Sequence, residues 1–386
     1  MTEKPAIAFY APLKSPLHPT PSGDREIARL FIRALEQAGF HVGLASQLRT
    51  FDKNGDNLRQ QRLLAIAQKE ATRVMRRWQQ QGFSPQAWFT YHLYYKAPDL
   101  LGPIICKTLN IPYIVAEASW AEKRANGPWA LYHQQVAYGL EIASKVICIN
   151  PKDKIALRSF YARTSHDKRS RLVSLKTFID DVPTNNHPAR DDVARKYGVD
   201  SKRPWLVTVA MMRSGDKYSS YQQLSAVVDK LQQPYQLLII GDGVMQAEVQ
   251  ALFTQHQQVK FAGALENSQI RQLLSHFELL VWPAINEALG MVFLEAQQAG
   301  VAIVAGEQGG VSSIVKNQVT GVLVDAYDAE EMSRTIDGLL ANPAQLKRMK
   351  QAATNYVIQH HSIAASAKQL KNVFDGVIEN KLGIRL

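Results

Sequence analysis

Cysteine is scarce in this chain: Cys106 and Cys148 are the only two among 386 residues. Both lie inside apolar, strand-like stretches (PIICKTL and VICIN). They therefore read as buried, reduced thiols and not as a disulfide or a metal site. No run approaches the ~20 uninterrupted apolar residues that a spanning helix needs. The opening MTEKPAIAFYAP has an acid and a proline where a signal peptide has a basic start and an apolar core. A cytoplasmic location is expected. No Gly-x-Gly-x-x-Gly follows the first strand-like run, which argues against a nicotinamide dehydrogenase. Basic residues are not interleaved with stacking aromatics, so no nucleic-acid partner is expected.

What the chain does contain is globular. Hydrophobic residues make up 46% and charged residues 20%, and the length suits two domains better than one core. The net charge of +11 is unevenly spread. Residues 1–182 hold 26 Lys and Arg against 15 Asp and Glu, whereas residues 183–386 hold 19 of each. The whole basic excess sits in the first half. It suits a phosphate-bearing partner or an anionic membrane surface, and an ordinary solvated basic face fits it too.

The pattern along the chain is that of alternating strands and helices. A strand, Ala6–Tyr10, precedes a loop rich in Pro and Ser, then a helix from about Asp24 to Ala38 and a strand at Val42–Ala45. Further strands are expected at Ala87–Thr90, Tyr113–Ala116 and Lys145–Asn150, with Thr50–Gln81 as a long exposed helix. A polar linker, DDVPTNNHPAR, covers Asp180–Arg190. After it the same grammar restarts, with strands at Trp205–Ala210, Gln236–Ile240, Val259–Phe261, Leu279–Trp282, Ala302–Ala305 and Gly321–Val324. Helices are expected between them, at Tyr221–Leu231 and Met245–His256, and throughout the chain from about Asn342. The expected class is α/β, two Rossmann-like doubly wound domains facing a central cleft. The divisions expected are 1–182, 183–355, and a C-terminal helical piece, 356–386, packing back toward the first domain.

The most informative window is VWPAINEALGMVFLEAQQAGVAIVAGEQGGVSSIVKNQVTGVLVD, residues 281–325. A strand ends at Trp282-Pro283, a loop carries Glu287, and a helix starts near Leu289-Gly290. Free N–H groups and the positive end of the helix dipole at Ala288, Leu289, Gly290, Met291 and Val292 suit a diphosphate. Glycine there lets a phosphate approach the backbone. Glu295 lies ~7.5 Å further along the axis, placed to accept hydrogen bonds from ribose hydroxyls. Glu287 would face sugar hydroxyls at the other end. Two glutamates eight residues apart more often mark a solvated helix face, so the spacing alone decides little.

The run EALGMVFLEAQQAGVAIVA, followed by Gly309-Gly310 and by Thr320-Gly321-Val322-Leu323-Val324, resembles the donor-site signature of family 4 retaining glycosyltransferases. The resemblance is contiguous over about forty residues. It implies the GT-B fold and transfer of a sugar from a nucleotide-diphosphate sugar to a hydroxyl acceptor, with retention at the anomeric carbon. It further implies no cofactor, no metal, and a glycan, lipid or other acceptor in cell-surface synthesis. The same family holds the diphosphate with an Arg and a Lys, which match Arg213 and Lys217 in MMRSGDK. Gly241 in Gly241-Asp242-Gly243 and Gly263 in Phe261-Ala262-Gly263 match family turns on the donor side. Asp-x-Asp, the metal–diphosphate motif of the other large glycosyltransferase fold, is absent.

The first domain matches less fully. Gly23, in Pro21-Ser22-Gly23-Asp24, stands alone where relatives carry a glycine-rich loop. His92 matches a family histidine near the sugar, and Glu117 and Glu122 stand where relatives carry a His or an acid. Ser313 replaces a glutamate that many relatives have after the Gly-Gly turn. The expected catalytic set is Arg213, Lys217, Glu287 and His92. Two other readings share these features: a nucleotide-sugar epimerase and a non-catalytic sugar-nucleotide-binding subunit. Docking of the basic domain on the inner face of an anionic membrane is a further expectation.

Overall fold

A computed structural model describes residues 4–20, 22–164, 170–180, 187–287 and 290–382. The chain separates into two compact units. The first comprises residues 1–176 and 363–386, and the second Thr177–Ser362.

The first unit is built on six parallel strands. They are β1 (Ala6–Tyr10), β2 (His41–Leu44), β3 (Ala87–Leu93), β4 (Tyr113–Ala118), β5 (Lys145–Cys148) and β6 (Leu172–Ser174), in the order β2-β1-β3-β4-β5-β6. Strands β1 and β3 are almost wholly buried, as expected for a parallel sheet covered on both faces. The helices are α1 (Gly23–Gln37), α2 (Asn57–Gln81), α3 (Gly102–Leu109), α4 (Ala130–Ile142) and α5 (Pro151–Thr164). Helix α1 buries Ala28, Leu30, Phe31, Ala34 and Leu35, the stripe its 3.6-residue period creates.

Helix α2 corrects the expectation of an exposed helix over Thr50–Gln81. It starts only at Asn57, behind the Asp56 cap, and buries Gln60, Leu63, Ala67, Ala71, Val74 and Trp78. Thr50 is itself buried, its hydroxyl donating to the Pro98 carbonyl at 2.8 Å. Beneath α3, the buried Asp99 accepts hydrogen bonds from Trp88 Nε1 (3.0 Å), Tyr113 Oη (3.1 Å), the Thr90 hydroxyl and the N–H groups of Leu101 and Gly102 (2.8 Å each). Five donors around one buried carboxylate hold the start of α3 onto the sheet.

The second unit opens with α6 (Arg190–Tyr197) and repeats the design: β7 (Trp205–Val209), α7 (Asp216–Val228), β8 (Gln236–Ile240), α8 (Gln246–Ala251), β9 (Val259–Gly263), α9 (Asn267–Leu274), β10 (Leu279–Trp282), α10 (Met291–Gln298), β11 (Ala302–Gly306), β12 (Gly321–Val324), α11 (Ala329–Leu340) and α12 (Pro343–His360). All strands pair in parallel in the order β12-β11-β10-β7-β8-β9. The boundaries of this unit lie beside each other. Ile179 N–H donates to the His361 carbonyl (2.9 Å), and His361 Nδ1–H donates to the Thr177 carbonyl (2.6 Å). The division thus falls after Lys176 and after Ser362, where the sequence reading drew it after 182 and 355.

The last helix, α13 (Ile363–Leu382), belongs to the first unit and lies against α1. Its Phe374 ring meets Phe40 at 5.3 Å and Phe89 at 5.9 Å between centroids.

Candidate functional site

Both sheets reverse their strand order once. In the second unit the chain runs from β7 outward to β8 and β9, then returns to place β10 on the other side of β7. Loops leaving β7 and β10 therefore diverge and leave a crevice at the carboxyl ends of these strands, where open α/β sheets bind ligands. Arg213 and Lys217 come from the β7 side and Glu287 from the β10 side.

The two loops are tied together. Lys217 Nζ and Glu287 Oε2 form an ion pair, with 20% and 17% of their side chains exposed. Asn286 Nδ2 donates to Asp216 Oδ1 at 3.1 Å, and Ile285 N–H donates to the Ser220 hydroxyl at 3.1 Å. Gly215, at φ 79°, turns the chain into α7. Ala284 (φ 57°) and Asn286 (φ 51°) are left-handed without being glycine, a strained arrangement of the kind that gathers at functional sites. The Glu287 carbonyl accepts from Gly310 N–H at 3.2 Å, which joins the Gly-Gly turn to the same loop. The Arg213 side chain is exposed and makes no ion pair or hydrogen bond among the described residues.

Gly290 caps α10 at φ 64°, and a Cβ there would lie 2.5 Å from the Phe293 ring. Met291 and Val292 form the first turn after it; Ala288 and Leu289 lie outside the described residues. Glu295 is turned inward, with Arg271 of α9 3.6 Å from its carboxylate. Burial raises the pKa of Glu295, and Arg271 opposes that rise.

Gly241 and Gly243 have a structural reason the sequence did not reveal. A Cβ on Gly241 would meet the Ala210 carbonyl oxygen at 2.0 Å, and one on Gly243 the Met212 carbonyl oxygen at 2.2 Å. Met212 N–H donates to the Asp242 carbonyl at 2.7 Å. The glycine turn therefore backs the segment that presents Arg213. Gly263 joins this turn, its carbonyl accepting from Gly241 N–H at 2.9 Å.

The first unit carries a matching feature at its own reversal, between β1 and β3. His92 Nδ1–H donates to Asp24 Oδ1 at 2.9 Å, joining the end of β3 to the start of α1. Burial lowers the imidazole pKa, but the Asp24 hydrogen bond and the charges of Glu117, Asp24 and Asp153 overcome it, and the net direction is upward. His92 (φ 65°) and Glu117 (φ 55°) are both left-handed, each at the end of one of two neighbouring strands. Burial raises the pKa of Glu117, and its Oε2 is buried without a hydrogen-bond partner. Asp153 accepts from the Ser119 hydroxyl at 2.8 Å. Gly23 begins α1 behind the Ser22 cap, and a Cβ there meets nothing within 4 Å. Glu122 stands apart from His92 in role, paired with Arg163 at 2.9 Å. A cavity of about 740 Å³, lined by Lys4, His41, Gly43, Arg77 and Phe83, opens at the amino ends of β1 and β2, opposite this cluster.

Sequence reasoning missed Asp24, Asp153 and Arg271 as partners. No spacing signals them, because each is brought in by a different element.

The exposed face of α2 is also distinctive. Arg59, Arg62, Ile66, Lys69, Arg73 and Arg76 are all exposed and fall at intervals of three and four. They form a line about 26 Å long within roughly 100° of the helix circumference. Leu58 and Ile66 are 67% and 48% exposed beside it. No helix among the described residues is long and apolar enough to cross a membrane.

Residues 190–356, inside the second unit, match the family model described as "Glycosyl transferases group 1". The chain is 26% identical over 286 residues to the alpha-D-kanosaminyltransferase of Streptomyces kanamyceticus, covering 72% of each. It is 25% identical over 308 residues to the alpha-maltose-1-phosphate synthase of Mycobacterium tuberculosis, covering 73% of this chain and 77% of that one. The structure of Anabaena HepE in complex with UDP superposes with a TM-score of 0.69 at 15% identity, over 96% of this chain and all of that one. Neither the epimerase nor the non-catalytic reading is favoured by these relatives. The protein is a glycosyltransferase of the GT-B fold, and residues 190–356 of its second unit match the group 1 glycosyl transferases.

Proposed function

We propose that the protein transfers a hexosyl group from a nucleotide-diphosphate sugar to a hydroxyl acceptor, retaining the anomeric configuration. The observation that carries this reading is the Lys217–Glu287 pair across the strand reversal, with Arg213 unpaired beside it in sequence. As the bond from C1 to the diphosphate oxygen breaks, negative charge grows on the leaving group. Lys217, held by Glu287, and the amino end of α10 are donors fixed in advance, the kind of group that stabilises developing charge most effectively. Arg213 adds an unpaired cation free to reach the diphosphate. Glu287 keeps the Lys217 ammonium aimed until the diphosphate shares it. Glu295, desolvated beside Arg271, suits ribose hydroxyls. The donor-binding set is then Gly290, Met291, Val292 and Glu295, with Ala288 and Leu289 from the sequence alone. Gly241 and Gly263 act by supporting the Arg213 segment, and Gly23 by leaving room at the start of α1.

Similarity to the HepE structure, whose complex contains UDP, supports a nucleotide donor. Likeness of residues 287–310 to retaining enzymes supports retention. In that route the departing phosphate oxygen takes the acceptor's proton, so no separate base is required. His92, held by Asp24, suits a contact to the transferred sugar. NMR of the product's anomeric proton tests the stereochemistry, once thermal shifts have named the donor. An inverted product would refute retention.

The basic line on α2 supports docking of the first unit on an anionic membrane surface, with Leu58 and Ile66 as shallow apolar contacts. This fits an acceptor that is a glycolipid or a cell-surface glycan precursor.

A further inference from the structure

A row of rings leads away from His92 at the carboxyl ends of β3 and β4. His92 contacts Tyr94 (4.7 Å between centroids), Tyr94 contacts Tyr95 (5.7 Å), and Tyr95 contacts Trp129 (5.5 Å). Two cations stand against the far end of this row. Lys96 Nζ lies 5.9 Å from the Tyr95 centroid and 5.3 Å from Trp129, and Arg124 Cζ lies 5.0 and 4.9 Å from the same two rings.

Neither cation has a carboxylate partner among the described residues. Glu122, close to Arg124 in sequence, and Asp52, whose N–H donates to the Lys96 carbonyl, are already engaged. Glu122 pairs with Arg163 and accepts from Trp120 Nε1 (3.0 Å). Asp52 is buried and accepts from Gln60 Nε2 (2.7 Å) and Asn54 N–H (3.1 Å). Arg124 Nε is buried with no hydrogen-bond acceptor, which is costly for a guanidinium unless something supplies one. Two positive groups against one pair of rings repel each other. The ring faces attract them both, but they provide no acceptor for the N–H groups.

We propose that this row is the acceptor subsite, and that the acceptor is a sugar bearing a phosphate or a carboxylate. Its reactive hydroxyl lies at the His92 end, the apolar faces of its rings lie on Tyr94, Tyr95 and Trp129, and its anionic group sits between Lys96 and Arg124. A monoanion or dianion there meets both positive charges and the unsatisfied Arg124 N–H, so a neutral sugar of the same shape binds less tightly. The assignment rests on the transferase reading given above and adds the charge of the acceptor to it.

The test uses the full chain with UDP and GDP both in millimolar excess, so that the nucleotide site is occupied. Glucose 6-phosphate, glucuronate and glucose are titrated separately, followed by tryptophan fluorescence and by saturation-transfer NMR. The two anions are expected to bind at least tenfold more tightly than glucose, and comparing them tells phosphate from carboxylate. In Lys96→Ala/Arg124→Ala that advantage is expected to vanish while glucose affinity holds. Single Lys96→Gln and Arg124→Gln variants, each expected to lose part of it, serve if the double variant does not fold. Glucose binding as tightly as its phosphate in the wild type overturns the proposal. An anion preference that survives in the double variant overturns it equally. Thermal stabilisation by UDP or GDP is read in parallel: its absence from the wild type counts against the donor site alone, because the sugar titrations judge the row independently.

Discussion

Lys217 and Glu287, seventy residues apart in sequence, pair where β7 and β10 diverge. His92 and Asp24 do the same where β1 and β3 diverge in the other unit. In each sheet the strand reversal opens a crevice, and an ion pair spans it.

The first prediction concerns the cations of the second unit. Lys217→Ala removes a donor from the leaving diphosphate and leaves Glu287 as an uncompensated charge beside it. Turnover is expected to fall by ~10² or more, as for loss of one charge-stabilising donor. Arg213→Ala, whose side chain makes no pair among the described residues, is expected to lose similar activity with little change in Tm. Steady-state kinetics with the identified donor decide it, and wild-type kcat in either variant would overturn the assigned roles.

Glycine at 241 is a packing requirement. A methyl group would lie 2.0 Å from the Ala210 carbonyl oxygen, at a backbone φ of 145°. Gly241→Ala therefore forces β8 and the Arg213 segment apart. An overpacking cost of about 2 kcal/mol or more is expected, lowering Tm by roughly 4–8 °C for a unit of this size. Gly23→Ala is the control: its Cβ meets nothing within 4 Å, so Tm should stay within a degree or so of wild type. Equal Tm values for the two variants would contradict the steric account.

The His92–Asp24 pair has a pH signature. The folded-state pKa of His92 is raised above its ordinary 6.5, and that of Asp24 is lowered from 3.8, chiefly by their mutual hydrogen bond. The histidine's contribution is fully present below its unfolded pKa and is lost as pH rises through the raised folded value. The aspartate's contribution is present above its unfolded pKa and is lost as pH falls through its lowered one. Replacing His92 with asparagine, which tolerates the left-handed backbone, removes the charge without adding strain. The Tm gap between wild type and His92→Asn should shrink as pH is raised from about 6 to about 9. A constant gap across that range would sink the ion-pair account.

For membrane docking, the line on α2 predicts a salt-sensitive attraction. Sedimentation with vesicles of phosphatidylglycerol and phosphatidylcholine should recover the protein at low salt, and pure phosphatidylcholine should not. Exchanging Arg62, Lys69 and Arg76 for glutamate should abolish recovery without loss of fold, because all three are exposed. Equal recovery on neutral and anionic vesicles would remove the membrane reading.

Much of the fold was legible because buried parallel strands are short apolar runs. Ala6–Tyr10, Gln236–Ile240, Leu279–Trp282 and Gly321–Val324 fall where the runs placed them. Strand β6, Leu172–Ser174, was not found, since three partly exposed residues leave too little apolar signal. The expected helix Met245–His256 is only Gln246–Ala251, because turns on either side satisfy the same hydrophobic spacing. In α2 a dense set of arginines hid a buried face of Gln60, Leu63, Ala67, Ala71, Val74 and Trp78.

The sequence by itself determined the alternating α/β order, the duplicate architecture and the contiguous segment that resembles a donor site, because each is written in neighbouring residues. It also determined the charge asymmetry between the halves. Only the tertiary structure decided who partners whom. Strand order placed Lys217 against Glu287 and His92 against Asp24, and sheet packing explained Gly241 through a carbonyl thirty-one residues away. Such contacts depend on which strands lie side by side, and linear spacing carries no record of that.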